Sequence, residues 1–174
     1  MASIVTAIDY VLRQEDSRLA GVVTDDARDP GGKTRFGLCQ RFHPELIYTG
    51  FFDATRTTAA YALQIAEQTY AKEYGEPLRI ADITAQQVAN AIVSFAVNEG
   101  TATSVEILQA AVGINPPTGF FGAKTLSAVN NTSNVLSLLE PKQIAHYQAI
   151  VAKNSAEAAF LNGWLNRVKQ DCEG

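Results

Sequence analysis

The stretch Ile4-Val5-Thr6-Ala7-Ile8-Asp9-Tyr10-Val11-Leu12-Arg13-Gln14-Glu15-Asp16-Ser17-Arg18-Leu19 repeats its apolar residues at intervals of three and four. Ile4, Ile8, Val11, Leu12 and Leu19 fall on one stripe at roughly 100° per residue, which predicts a helix over about residues 4–19. Glu15 projects from the same face as Ile8, Leu12 and Leu19. An acid in such a stripe is either salt-bridged, here to Arg18, Arg35 or another base, or kept protonated by desolvation. The second state is what a general acid needs.

Outward from this helix comes Asp25-Asp26-Ala27-Arg28-Asp29-Pro30-Gly31-Gly32-Lys33-Thr34, a polar loop able to supply a second carboxylate. Pro30-Gly31-Gly32 forces a turn, and the glycines let backbone lie close to a ligand. Asp25, Asp26 and Asp29 are candidates for holding a water or stabilising positive charge at a sugar. Aspartates in such a turn also bond their own backbone. Thr34 can orient a water or a carboxylate through its hydroxyl, or bond the turn. Gly31-Gly32-Lys33-Thr34 has the look of a phosphate-loop end, but the initial glycine and a preceding buried strand are missing, which argues against nucleotide binding. The ligand order of a calcium-binding EF-hand is missing too.

Helical spacing continues along the chain. Helices are predicted over about 57–74, anchored by Tyr61, Ile65 and Tyr70, and from a Thr84/Gln87 capping box to a stop at Gly100. Val88, Ala91, Ile92, Phe95 and Ala96 read as the buried face of this central helix. Further helices are expected at 103–111, Gly122 to Asn130, 135–152 with Pro141 at its start or a kink, and 156–170 with Phe160, Trp164 and Val168. Val22-Val23 and Thr34 to Cys39 suggest a small N-terminal β-hairpin. No internal repeat, coiled-coil heptad or disordered linker is visible. The fold class is mainly α, in one compact domain.

The 174 residues are 47% hydrophobic, enough for one ordinary core. Charged residues make up 18%, the net charge is −4, and neither end carries a basic block. Nucleic-acid binding by phosphate neutralisation is therefore disfavoured, and recognition of any anionic polymer must come from a local cleft. No run of about 18 apolar residues exists to span a membrane. No basic region followed by an apolar segment marks a secretory signal, so export by a specialised machine or release by lysis is expected. Cys39 and Cys172 lie far apart, leaving both a disulfide and free thiols open. Two cysteines and two histidines without close spacing give no zinc pattern. His43 and His146 have no serine or cysteine partner in a recognisable arrangement. Tyr48, Phe51, Phe52 and Tyr74 either line a sugar groove or belong to the core.

Taken in order, Glu15-Asp16-Ser17, Asp29-Pro30-Gly31-Gly32-Lys33-Thr34-Arg35-Phe36-Gly37-Leu38-Cys39, Phe95-Ala96-Val97-Asn98-Glu99-Gly100, Leu108 to Gly113, Thr118 to Leu126 and Phe160 to Val168 form a set covering nearly the whole chain. The set resembles glycoside hydrolase family 108, N-acetylmuramidases with a C-terminal peptidoglycan-binding segment. The resemblance implies a lysozyme-like helical fold, with a catalytic region over 1–102 and a helical region with the peptidoglycan-binding-like segment over 103–174, packed into the same domain. It implies cleavage of the β-1,4 bond between N-acetylmuramic acid and N-acetylglucosamine, without metal or organic cofactor. Glu15 would be the acid, an aspartate of the loop its partner, with Asp29 favoured by the motif and Asp26 close behind, and Thr34 a support. Asn98, Tyr48 and Phe52 are the expected substrate contacts. The implied partner is the peptidoglycan glycan strand, met in the periplasm or at the cell wall by a monomer, with an immunity protein or a holin or secretion partner.

Two departures stand out. The family's Glu-Gly-Gly is Glu15-Asp16-Ser17 here, and its Gly-Ile-Thr is Gly37-Leu38-Cys39. Asp16 could influence Glu15 at longer range or close space that glycines leave open for sugar. Two rivals follow: a lytic transglycosylase using Glu15 alone, and a non-catalytic peptidoglycan-binding protein.

Overall fold

The computed structural model describes residues 1–25 and 31–173. The chain is mainly α with one small antiparallel hairpin, as the spacing predicts. It forms two compact units, Ile8–Glu73 and Met1–Ala7 with Tyr74–Gly174.

The first unit holds most of α1 (Ile4–Glu15), then β1 (Thr34–Arg35), β2 (Leu38–Cys39), α2 (Leu46–Thr49) and α3 (Ala59–Tyr70), which runs into a π-helical turn at Ala71–Gly75. The apolar stripe of α1 is real: Ile8, Val11 and Leu12 are buried. The helix nevertheless ends at Glu15, four residues short of expectation. Leu19 stands outside it with a left-handed φ of 50°, so its place in the repeat is coincidental. The hairpin also differs. Thr34 faces Cys39 and Arg35 faces Leu38, so the turn is Phe36-Gly37, and the upstream chain contributes only a bridge from Thr24 to Thr34. Positive φ at both Phe36 (49°) and Gly37 (77°) is the geometry that two-residue hairpin loops favour. Thr58 caps α3, its side chain accepting from the Tyr61 amide.

The second unit is built on α4 (Gln86–Glu99), α5 (Thr101–Ala111), α6 (Ala123–Asn131), α7 (Val135–Lys153) and α8 (Ala158–Glu173). In α4 Val88, Ala89 and the run from Ala91 to Ala96 are buried. Burial on nearly every side marks a central helix, and α5, α7 and α8 pack on it. Phe95, Tyr147 and Val168 join the three larger helices, with Tyr147 stacked on Trp164 at 4.9 Å between ring centres. The expected start at Thr84 moves by one residue, to Ala85 ahead of Gln86. Thr84 spends its amide and hydroxyl on Asn130 Oδ1, and Ala85 takes the cap position without a side-chain bond. Gly100 ends α4 as expected, with φ 83°.

Gln109 is buried in α5 and ties down the proline-rich turn that follows. Its amide nitrogen donates to Thr118 Oγ1, Phe120 O and Thr125 Oγ1, and its oxygen accepts from the Thr118 amide at 2.6 Å. Pro141 lies inside α7 rather than at its start. Both cysteines are free thiols. No helix among the described residues is long and apolar enough to cross a membrane.

Candidate active site

Glu15 is the last residue of α1, and its side chain is exposed rather than sunk in the apolar stripe. That corrects the sequence expectation. With the helix stopping at Glu15 there is no following turn to carry Leu19 over it. What surrounds Glu15 instead is a surface recess of about 340 Å³, lined by Glu15, Asp16, Ser17, Thr24, Thr34 and the Arg35–Gly37 hairpin among others. Glu15 and Thr34, which the sequence paired, are therefore brought together.

The hairpin turn closes one side. Gly37 passes so near that a Cβ there would lie 2.8 Å from Glu15 Cγ, 3.0 Å from Glu15 Oε2 and 2.5 Å from Tyr70 Oη. The Tyr70 hydroxyl donates to Phe36 O at 3.1 Å and is buried. Arg35 is buried too. Its guanidinium donates to the carbonyls of Gly21, Phe51 and Thr57 at 2.7–3.2 Å and lies 6.0 Å from the ring centres of Phe36 and Phe51. Burial pulls its pKa below the ordinary arginine value. Arg35, which lines the recess, thus ties the chain at Gly21 to the segment between α2 and α3. Sequence reasoning did not find Tyr70 or Arg35 in these roles. Only Gly37, inside the family-like motif, carried a signal.

Asp16, the departure from the family pattern, has a local task. Its carboxylate accepts from the Gly21 amide at 2.7 Å and the Arg18 amide at 3.3 Å, folding the chain back after α1. Partial burial opposes its charge, yet the amides of Gly21, Ala20, Arg18 and Leu19 hold its carboxyl below the ordinary carboxylate range. Asp16 is committed to this turn, a way of breaking the helix that glycines accomplish by flexibility.

Thr34 sits in β1 with its backbone bonded both ways to Thr24 at 2.9 Å. Asp25 is exposed. Asp26 and Asp29 lie outside the described residues. Of the aromatic candidates, Tyr48 is 87% exposed on α2, whereas Phe52 is buried edge-on to Phe51 at 4.9 Å. Phe52 belongs to the core and does not line the recess. Asn98 is exposed and donates to Tyr147 Oη at 3.3 Å. Desolvation raises the Tyr147 phenol to about 12 against that bond, so it is a neutral partner. His146 is bonded to Glu99 at 2.7 Å.

Chemically, the recess offers a carboxyl group at a helix end, a neighbouring hydroxyl and close-lying backbone, an arrangement suited to proton transfer on an uncharged, hydroxyl-rich substrate. The sequence model of the family described as Glycosyl hydrolase 108 matches residues 8–100, and that described as Predicted Peptidoglycan domain matches residues 103–169. Among solved structures, that of Brucella abortus SagA is similar at a TM-score of 0.68 and 25% identity, covering 98% of this chain and 91% of that one. No curated protein matches the chain.

Proposed function

The chain belongs to the glycosyl hydrolase 108 family, and from that premise we propose that it is an N-acetylmuramidase with Glu15 as its acid. Membership and the second matched segment make it a glycoside hydrolase acting on peptidoglycan at the cell wall. The finer reading is that it hydrolyses the β-1,4 bond between N-acetylmuramic acid and N-acetylglucosamine. The observation that carries it is the position of the Glu15 carboxyl on a recess shared with Thr34, against the Phe36-Gly37 turn.

In this reading Glu15 delivers a proton to the glycosidic oxygen as the bond to muramyl C1 breaks. A glycan strand covering the recess excludes bulk water from the reacting bond. A loop aspartate, Asp29 ahead of Asp26, takes a proton from the water that attacks C1 or stabilises positive charge there. Thr34 supports that carboxylate. Asn98 and Tyr48 are proposed glycan contacts, and Phe52 is not.

Purified peptidoglycan is digested with wild type and Glu15→Gln, and the products are weighed. Reducing-end muramic acid from wild type, with loss of turnover on the order of a hundredfold or more in Glu15→Gln, is expected. Anhydro-muramic products would replace hydrolysis by internal attack of the C6 hydroxyl. Binding without products from either protein would reduce the chain to a wall-binding module, and equal cleavage by both would remove Glu15 from the chemistry.

A further inference from the structure

His43, Glu45 and Glu73 converge away from the recess, with one ligand-type atom of each within 4.8 Å of the others. They come from three places: the loop after β2, the residue ahead of α2, and the π-helical turn that follows α3. His43 Nδ1 lies 3.4 Å from Glu73 Oε1 and 3.7 Å from Glu45 Oε1. His43 is 9% exposed, and its Nδ1 is buried without a hydrogen-bond partner among the described residues.

That combination is unlike an ordinary histidine–carboxylate pair. In the same molecule His146 Nε2 reaches Glu99 at 2.7 Å, the distance of a charge-assisted hydrogen bond. At His43 both carboxylates stop short of bonding, and a buried nitrogen without a partner is costly to leave so. The 3.4 Å between His43 Nδ1 and Glu73 Oε1 is instead that of two atoms sharing a cation, with Glu45 Oε1 close by at 3.7 Å. Tetrahedral zinc with bonds of about 2.0–2.1 Å sets its ligands about 3.3–3.4 Å apart.

We propose that His43 Nδ1, Glu45 and Glu73 bind one first-row divalent cation of the zinc type. The imidazole selects a transition metal over calcium or magnesium, which prefer oxygen alone. The exposed sides of Glu45 and Glu73, 63% and 37% accessible, leave room for water to complete the coordination. The ion clips the loop ahead of α2 to the end of α3. Glu73 follows Tyr70 by three positions, so the clip steadies the helix end whose tyrosine holds the Phe36 carbonyl. The ion has no part in bond cleavage.

Full-length protein stripped with chelator is titrated with zinc chloride by calorimetry, and its thermal midpoint is followed with and without zinc. One zinc per chain is expected, with a raised midpoint. Glu45→Gln and Glu73→Gln keep size and fold at exposed positions, and each weakens binding at least about tenfold, as losing even a supporting residue does. His43→Asn abolishes binding, but the two glutamate variants carry the test if it fails to fold. Cys39→Ser with Cys172→Ser leaves binding unchanged. Absence of saturable binding, wild-type affinity in either glutamate variant, loss in the cysteine variant, or calcium binding as tightly as zinc would each overturn the proposal.

Discussion

A methyl group added at Gly37 is the smallest change that reaches Glu15 and Tyr70 together. Gly32 has a similar φ, 73° against 77°, but its nearest neighbour to an added Cβ is Gln40 at 3.7 Å. Both alanine variants bear the left-handed strain, about 1–2 kcal/mol. Only Gly37→Ala must also displace Glu15 or the buried Tyr70. Gly32→Ala should therefore lose stability in urea with kcat close to wild type. Gly37→Ala should lose more stability and, through a displaced carboxyl, turnover on the order of a hundredfold. Equal kcat in the two would show that the turn does not position Glu15. Asp16 gives a pH-dependent test. Its carboxyl titrates near 3.8 when unfolded and lower when folded. The stability it adds is therefore complete above the ordinary value and is lost as pH falls through the lower folded one. Asp16→Asn keeps an acceptor for the Gly21 amide without the charge, so it should be about 1 kcal/mol less stable near neutrality. The gap should narrow as pH falls below 3.8, and urea midpoints that stay equally far apart would contradict the assignment. Glu15 and Thr34, both singled out in the sequence, do line one recess, though the stripe that drew attention to Glu15 ends at it and leaves its side chain exposed. The role of Tyr70 was not legible, because its hydroxyl meets a carbonyl 34 residues upstream and no local pattern encodes that pairing.

At the level of elements, periodicity read well wherever a helix has a wet and a dry side. The buried set of α4 and the start of α1 follow directly from apolar spacing. Ends read less well, because they depend on bonds that spacing does not contain. Asp16 stops α1 by capturing amides beyond it, and α4 begins after Ala85 while Thr84 is bonded to Asn130. The hairpin was harder to place because its turn puts a bulky Phe36 at a positive-φ position that sequence rules reserve for glycine or asparagine. In α7 a further consequence can be measured. Pro141 sits seven residues into a helix of 19, where it removes an amide hydrogen bond to the preceding turn, and it is exposed. Proline in a helix interior is unfavourable by about 3 kcal/mol against alanine. Pro141→Ala should raise the urea midpoint, by somewhat less than that where local geometry has adapted, without altering turnover. A destabilised Pro141→Ala would mean that the proline's fixed φ organises α7.

For the whole molecule, two properties were beyond reach of pattern. Residues Met1–Ala7 group with Tyr74–Gly174, through bonds such as Ala2 N to Ile83 O at 2.6 Å and Ser3 N to Gln86 Oε1 at 2.7 Å. The His43–Glu73 convergence likewise joins distant positions. Net charge, by contrast, is fully legible and makes its own prediction. At −4, with 14 basic against 18 acidic residues, the chain has no long-range attraction for an anionic wall polymer. Recognition must then rest on short contacts at the recess and along residues 103–169, which salt affects little. Raising ionic strength from about 0.01 M to about 0.15 M shrinks the screening length from about 30 Å to about 8 Å. An enzyme steered by positive charge slows under that change. This chain, mildly repelled at low salt, should digest purified peptidoglycan at an equal or modestly higher initial rate. The same series run with Glu15→Gln supplies the baseline for turbidity changes that do not come from cleavage. A steep fall in rate with salt would reveal a local basic surface strong enough to outweigh the net charge, and the contact-driven account of substrate capture would have to give way to electrostatic steering.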